Sequence, residues 1–182
     1  MAPTRRPDRA PPGNLERNPN SWVQSDDRKI RDFARKAAAG AKDDADRMQL
    51  LTQAVSTRLS DKNLSSAYAS AREAFDDRAG DCTEHALLLA AAARSLGIPT
   101  RIAAGLAYTE AFAGRSHVFV PHAWVQAFVG GRWQSYDAAL GTYDSGHLLL
   151  ATGNGDPGMY FGSLNALGNV QISRVRIHPE SP

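Results

Sequence analysis

Gly80-Asp81-Cys82-Thr83-Glu84-His85-Ala86-Leu87-Leu88-Leu89-Ala90-Ala91-Ala92-Ala93-Arg94-Ser95-Leu96-Gly97 is the stretch on which the fold turns. Thr83 to Leu96 is rich in the best helix formers and nearly devoid of polar interior positions, which predicts a helix buried in a core. Gly97 is a natural left-handed residue to end it, and Pro99 follows two positions later. At the other end Cys82, the single cysteine of the chain, sits where a glycine-containing loop enters the helix. Unsatisfied backbone N–H groups and the positive end of the helix dipole favour a thiolate there. The plain alternative is a small hydrophobe filling a gap in the core.

Upstream of this stretch the pattern is helical. Ser25 or Asp26 reads as an N-cap for a helix carrying Ile30, Phe33, Ala34 and Ala37, ended by Gly40. A second helix runs from about Asp43 to Leu59, with Met48, Leu51, Val55 and Leu59 on one stripe. Ser70 to Phe75 reads as one short helical turn before a loop at Asp76 to Gly80. Downstream the periodicity changes to strands: Thr100 to Tyr108, Val118 to Val129 and Arg132 to Ala138, the last two joined by Gly130-Gly131, a two-residue hairpin signal. Leu148 to Leu150 and Val170 to Ile177 read as edge strands, with a Gly-rich loop from Gly153 to Gly168 between them. Helices first and hairpins later define an α+β fold.

A chain of 182 residues with 42% hydrophobic residues can bury a real core. Its 21 Lys and Arg against 19 Asp and Glu leave a formal charge of +2, too small to bring it to nucleic acid or anionic lipid by field alone, so no nucleic-acid partner is expected. No apolar run is long enough to span a membrane. One cysteine rules out an intrachain disulfide framework and zinc sites of the two- or four-cysteine kinds. Pro3, Pro7, Pro11, Pro12 and Pro19 precede Trp22 among polar residues, so residues 1–21 read as a linker or surface arm and residues 22–182 as the domain. Such a start suggests a further N-terminal domain in the native protein. A free thiol survives best under reducing conditions, which points toward the cytoplasm, although the compartment is not fixed by these residues.

Hairpin arithmetic selects partners for the thiol. With Gly130-Gly131 as the turn, Val129 faces Arg132, His122 faces Ala139 and Trp124 faces Asp137. His122, Trp124 and Asp137 therefore point to one side of the hairpin, His122 and Asp137 being diagonal neighbours about 7 Å apart. His117 would face Asp144 on the opposite side, barring a bulge near Pro121. A thiolate nucleophile, a histidine that keeps it ionised and protonates the leaving amine, and a carboxylate that orients the histidine make an acyl-transfer set. Cys82, His122 and Asp137 supply these roles, and Trp124 reads as a wall of the substrate cleft.

These blocks resemble the transglutaminase-like superfamily. Phe75 to Arg101, with Gly80-Asp81-Cys82 and Leu96-Gly97-Ile98-Pro99-Thr100-Arg101, is similar to its first block; His122 to Trp133 is similar to its histidine block; Asp137 falls where the family places its carboxylate. The resemblance covers about residues 22 to 150. It implies a papain-like α+β core and acyl transfer through a Cys82 thioester, with no metal or cofactor. The chain departs from the family at Gln126, where Glu is common, and at Ala138 and Ala139, where a hydroxyl residue often follows the aspartate.

The expected activity is hydrolysis of a protein or peptide substrate, as a cysteine peptidase or amidase. Transglutaminase cross-linking and a non-catalytic binding module on the same fold are the alternatives. The Cys82 backbone N–H is a first oxyanion donor, with the second from Tyr68, Ser66 or Asn63. Cys82, His85 and His122 with a carboxylate read alternatively as a zinc site, but two of these ligands have better roles in the triad, so no metal is expected. Glu84 is most simply a residue complementing the helix dipole.

Overall fold

The computed structural model of the chain describes residues 8–61 and 68–158. In order the elements are α1 (Arg28–Ala37), α2 (Asp44–Arg58), α3 (Ala71–Asp77), α4 (Cys82–Ser95), β1 (Thr100–Phe112), β2 (Arg115–Val129), β3 (Arg132–Tyr136) and β4 (His147–Gly153). The strands form an antiparallel sheet in the order β3-β2-β1-β4, and the fold is α+β as expected.

Helix α4 is the axis of the core. Every residue from Thr83 to Arg94 is buried, and the helix packs against α1, α2 and α3 and against β1 and β2. Leu87, Leu88 and Leu89 are wholly inaccessible, each worth about 2 kcal/mol of apolar burial. Ala90 to Ala93 are equally inaccessible and leave little side chain between the helix and its neighbours. On β2 the odd positions Ala123, Val125, Ala127 and Val129 join this helical core. His122 and Trp124 lie on the other face by strand alternation.

The β2–β3 register has Val129 opposite Arg132 and Val125 opposite Tyr136, as the hairpin arithmetic requires. Gly130 and Gly131 both have positive φ, the conformation of a type I′ turn. Strands β1 and β2 continue past the expected ends at Tyr108 and Val118 as a ribbon to Phe112 and Arg115, because Ala113-Gly114, also with positive φ, makes a second tight turn. Between Ala104 and Gly105 the β1–β4 pairing shifts register. A Cβ at Gly105 would overlap the Leu148 carbonyl oxygen and the Trp124 ring, so only glycine allows β4 this close.

Some boundaries differ from expectation. Asp27, rather than Ser25 or Asp26, caps α1, since its carboxylate accepts from Lys29 N at 2.8 Å and Ile30 N at 3.1 Å. Helix α3 runs on to Asp77 because Ser70 and Glu73 form a reciprocal capping box at its start, and Arg78 in the left-handed region stops it. Strand β3 ends at Tyr136, and β4 begins at His147, one residue before the expected edge strand. The expected strand at Val170 to Ile177 lies outside the described residues, as does the expected loop beyond residue 158.

Residues 8–21 run along the body. Trp133 N donates to the Asp8 carbonyl and Trp133 Nε1 to the Ala10 carbonyl, both at 2.9 Å, and Thr100 N donates to the Glu16 carbonyl at 2.9 Å. Arg94, 5% exposed, fastens this segment to the sheet: Nε and Nη2 donate to the Thr100 carbonyl at 3.0 and 2.7 Å, and Nη1 to the Asn18 carbonyl at 3.0 Å. Burial holds its guanidinium down at about 10 despite the charge of Glu16. Among the described residues no helix is long and apolar enough to cross a membrane.

Candidate active site

Cys82 is the first residue of α4, directly after the N-cap Asp81, and is partly accessible. Asp81 Oδ1 accepts from Thr83 N at 2.7 Å. Glu84, 1% exposed, does more than complement the dipole: Oε1 accepts from Ala69 N and Oε2 from Asp81 N, each at 2.9 Å. It ties the segment before α3 to the loop carrying the thiol. Burial, reinforced by the Asp81 carboxylate, pushes the Glu84 carboxyl up to about 7.

His122 stands on β2 and lines the same cleft as Cys82. Nε2 donates to Asp137 Oδ2 at 2.6 Å, and the Cys82 side chain is its other hydrogen-bond partner. With Nε2 committed to the carboxylate, Nδ1 is the nitrogen left for the thiol. Burial alone would disfavour the imidazolium, but hydrogen bonds and charge from Asp137 and Cys82 outweigh it and raise His122 to about 9. Burial likewise opposes ionisation of Asp137, yet the two imidazoles bonded to it and the Leu140 N–H hold it well below the usual carboxylate range.

The second imidazole is His147, which the sequence reading did not single out. Its Nε2 donates to Asp137 Oδ2 at 2.9 Å, and its Nδ1 lies 3.2 Å from Asp144 Oδ1. The other oxygen of Asp137 accepts from Ala139 N at 2.8 Å and Leu140 N at 3.0 Å. The hairpin arithmetic could not find His147, because it reaches the carboxylate from β4 across the 137–147 loop rather than from β2 or β3. The available signal was its position at the head of an expected edge strand.

Asp137 thus bonds to His122, and His122 and Cys82 line the same cleft. Trp124 is 1% exposed and is not among the described residues that line the cleft at Cys82. Its ring backs His122 at 6.1 Å and His147 at 5.2 Å, because Gly105 and β4 cover that face of the sheet. His117 is exposed on the ribbon and meets the Tyr108 hydroxyl at 2.6 Å, away from Asp137. Tyr68 donates its hydroxyl to the Gly155 carbonyl at 2.9 Å and does not line the cleft; Ser66 and Asn63 lie outside the described residues. His85 Nδ1 donates to the Asp81 carbonyl at 2.7 Å. Among the described residues, the group whose ligand atoms could hold a metal is not the one weighed from the sequence but His122, Asp137 and His147, with ligand atoms within 4.8 Å of one another. Hydrogen bonds among these three already account for their arrangement.

The thiol opens into a cleft of about 520 Å³ whose walls include Ala107, Tyr108, Phe112, Val120, Pro121 and Leu140. Tyr108, Phe112 and Leu140 are 37%, 49% and 53% exposed, so apolar surface reaches the rim. Among the described residues, Asp81 is the one carboxylate on this wall.

The model of the transglutaminase-like superfamily matches residues 31–138, from within α1 to the residue after Asp137. The chain belongs to the transglutaminase-like superfamily. Among solved structures, this transglutaminase-like chain is similar to a candidate cysteine protease from Cytophaga hutchinsonii, at 27% identity and a TM-score of 0.64 over 75% of this chain and 45% of that one. It is also similar to a candidate protease from Parabacteroides distasonis, at 14% identity and a TM-score of 0.44 over 60% of this chain and 23% of that one. The chain spans less than half the length of these two proteins. No curated protein matches it. The superfamily and the first of these likenesses support a protein of the cysteine-protease-like kind.

Proposed function

We propose that this chain hydrolyses amide bonds of protein or peptide substrates through a thioester on Cys82. The observation that carries the reading is His122, bonded to the buried Asp137, lining the same cleft as the Cys82 thiol. The Cys82 thiolate attacks the carbonyl carbon, with the Cys82 backbone N–H at the helix N-terminus as one donor to the developing oxyanion. The C–N bond breaks as His122 Nδ1–H protonates the leaving amine, and the acyl group remains on sulfur. Water then adds to the thioester carbonyl, giving its proton to His122, and the carboxylic acid leaves as the C–S bond breaks. Throughout, Asp137 keeps the Nε2 proton in place and stabilises the imidazolium. The apolar, largely uncharged walls fit an apolar side chain beside the scissile bond.

The test is incubation with a peptide library in the presence of an added primary amine, read by mass spectrometry, for the wild type and Cys82→Ala. Cleaved peptides with free carboxylates, absent with Cys82→Ala, are expected; amine adducts without hydrolysis would instead make the protein a cross-linking acyltransferase. Iodoacetamide labelling of Cys82 across the pH range, for wild type and His122→Ala, gives a second readout. Slow labelling of both folded proteins would favour a non-catalytic binding module.

A further inference from the structure

The Asp137 carboxylate has both oxygens fully engaged, and this arrangement holds on two histidines rather than one. Its side chain is wholly inaccessible. Oδ1 is fixed by two consecutive backbone N–H groups, Ala139 and Leu140. Oδ2 takes His122 Nε2 on one side and His147 Nε2 on the other. Because a carboxylate only accepts, both imidazoles must carry their protons on Nε2. We propose that His147 is a positioning residue that fixes the rotation of Asp137 and so holds His122 in the tautomer that presents Nδ1 to Cys82. The inference rests on the hydrolase reading of this site.

His147 is built to stay where it is. Its side chain is 2% exposed, and its ring lies 4.6 Å from Tyr143 and 5.2 Å from Trp124. Its backbone pairs with Ala107 in the sheet, and its N–H reaches the Asp144 carbonyl at 3.3 Å. The close approach of β4 at Gly105 puts His147 above His122, with ring centroids 5.7 Å apart. A merely packed aromatic would need none of the Nε2 geometry. Without His147, one lone pair of Oδ2 would be buried unmatched, and the carboxylate could turn toward another donor, taking His122 with it.

The test compares His147→Phe, which keeps the bulk and removes the donor, with His147→Gln, which restores an N–H near the Nε2 position. A positioning role predicts a kcat loss on the order of 100-fold for the Phe variant at nearly constant KM, the scale of a small misplacement of a catalytic group, with substantial recovery in the Gln variant. The His122 Nε2–H proton, followed by NMR, should move upfield or broaden in the Phe variant and persist in the Gln variant. Wild-type kcat with an unchanged His122 resonance in folded His147→Phe would overturn the proposal, and so would a Gln variant as impaired as the Phe variant. Should the Phe variant not fold, ¹⁵N NMR of the wild type decides, since an Nδ1–H tautomer at His147 is incompatible with donation to Asp137. If the wild type cleaves no peptide and its thiol labels slowly, the hydrolase reading fails, while the NMR measurements still report on the His147–Asp137 bond.

Discussion

Replacing Asp137 by asparagine tests the electrostatics of the site with almost no change in volume. The rise of His122 from 6.5 to about 9 corresponds to roughly 3 kcal/mol of preference for its imidazolium form. Burial opposes that preference, so it comes from Asp137 and Cys82, and without the Asp137 charge His122 should titrate well below 9, toward its ordinary 6.5. At pH 7.5 its protonated fraction would fall from nearly complete to about one-tenth. The tautomer fails as well. In Asp137→Asn the side-chain amide keeps its oxygen for the Ala139 and Leu140 N–H groups and turns its NH₂ toward two imidazoles, pushing the His122 proton onto Nδ1, where a base is needed. The same error in a serine triad costs on the order of 10⁴ in kcat.

The assay is the pH profile of peptide hydrolysis together with urea unfolding. In the wild type the alkaline limb should lie near pH 9, and in Asp137→Asn it should fall by about two pH units with a loss on the order of 10³ or more in kcat. A raised histidine contributes its stability fully below 6.5 and loses it as pH rises through about 9; the depressed Asp137 contributes above 3.8 and loses it as pH falls. The wild type should therefore lose up to roughly 3 kcal/mol of unfolding free energy between pH 6.5 and 9, and the variant should be nearly flat there. A variant that keeps its alkaline limb near pH 9 and its kcat within about tenfold would refute the reasoning.

Gly105→Ala should lower stability by about 1–3 kcal/mol or more, because the obstructing atom is backbone of β4, with reduced activity in whatever fraction folds; the urea midpoint and kcat measured together check this. Arg94→Met should cost about 2–4 kcal/mol by urea unfolding, since the Thr100 and Asn18 carbonyls lose charged donors, and proteolysis should then cut within residues 8–21. Glu84, raised from 4.5 to about 7, makes the protein less stable as pH climbs through that interval; Glu84→Gln should remove that slope in a thermal-melt series from about pH 4 to 8.

The helix–hairpin logic was legible because it rests on local rules. The buried α4, the Gly130-Gly131 turn and the diagonal pairing of His122 with Asp137 each follow from composition or strand parity. What escaped depends on contacts remote in sequence. His147 meets Asp137 only because β4 returns beside β1, and Glu84 becomes a buried tie only because Ala69 comes to it. Parity likewise gives Trp124 its side of the hairpin but not the packing of Tyr143 and His147 against its ring. The ribbon beyond Tyr108 was missed because Ala113 takes a positive φ that its side chain does not advertise.

The run Ala90 to Ala93 has a meaning beyond filling space. The thiol rides on α4 and the imidazole on β2, so the gap between sulfur and nitrogen is fixed by how closely that helix and that strand are allowed to lie. Methyl-sized side chains let α4 lie close to the elements packed around it. A substitution such as Ala90→Leu, far from any substrate, would work like a shim under one jaw of a vice: the protein could fold and stay soluble while its reacting atoms no longer met. On the proposed mechanism, the calibration of the chemistry is stored in the plainest residues of the interior.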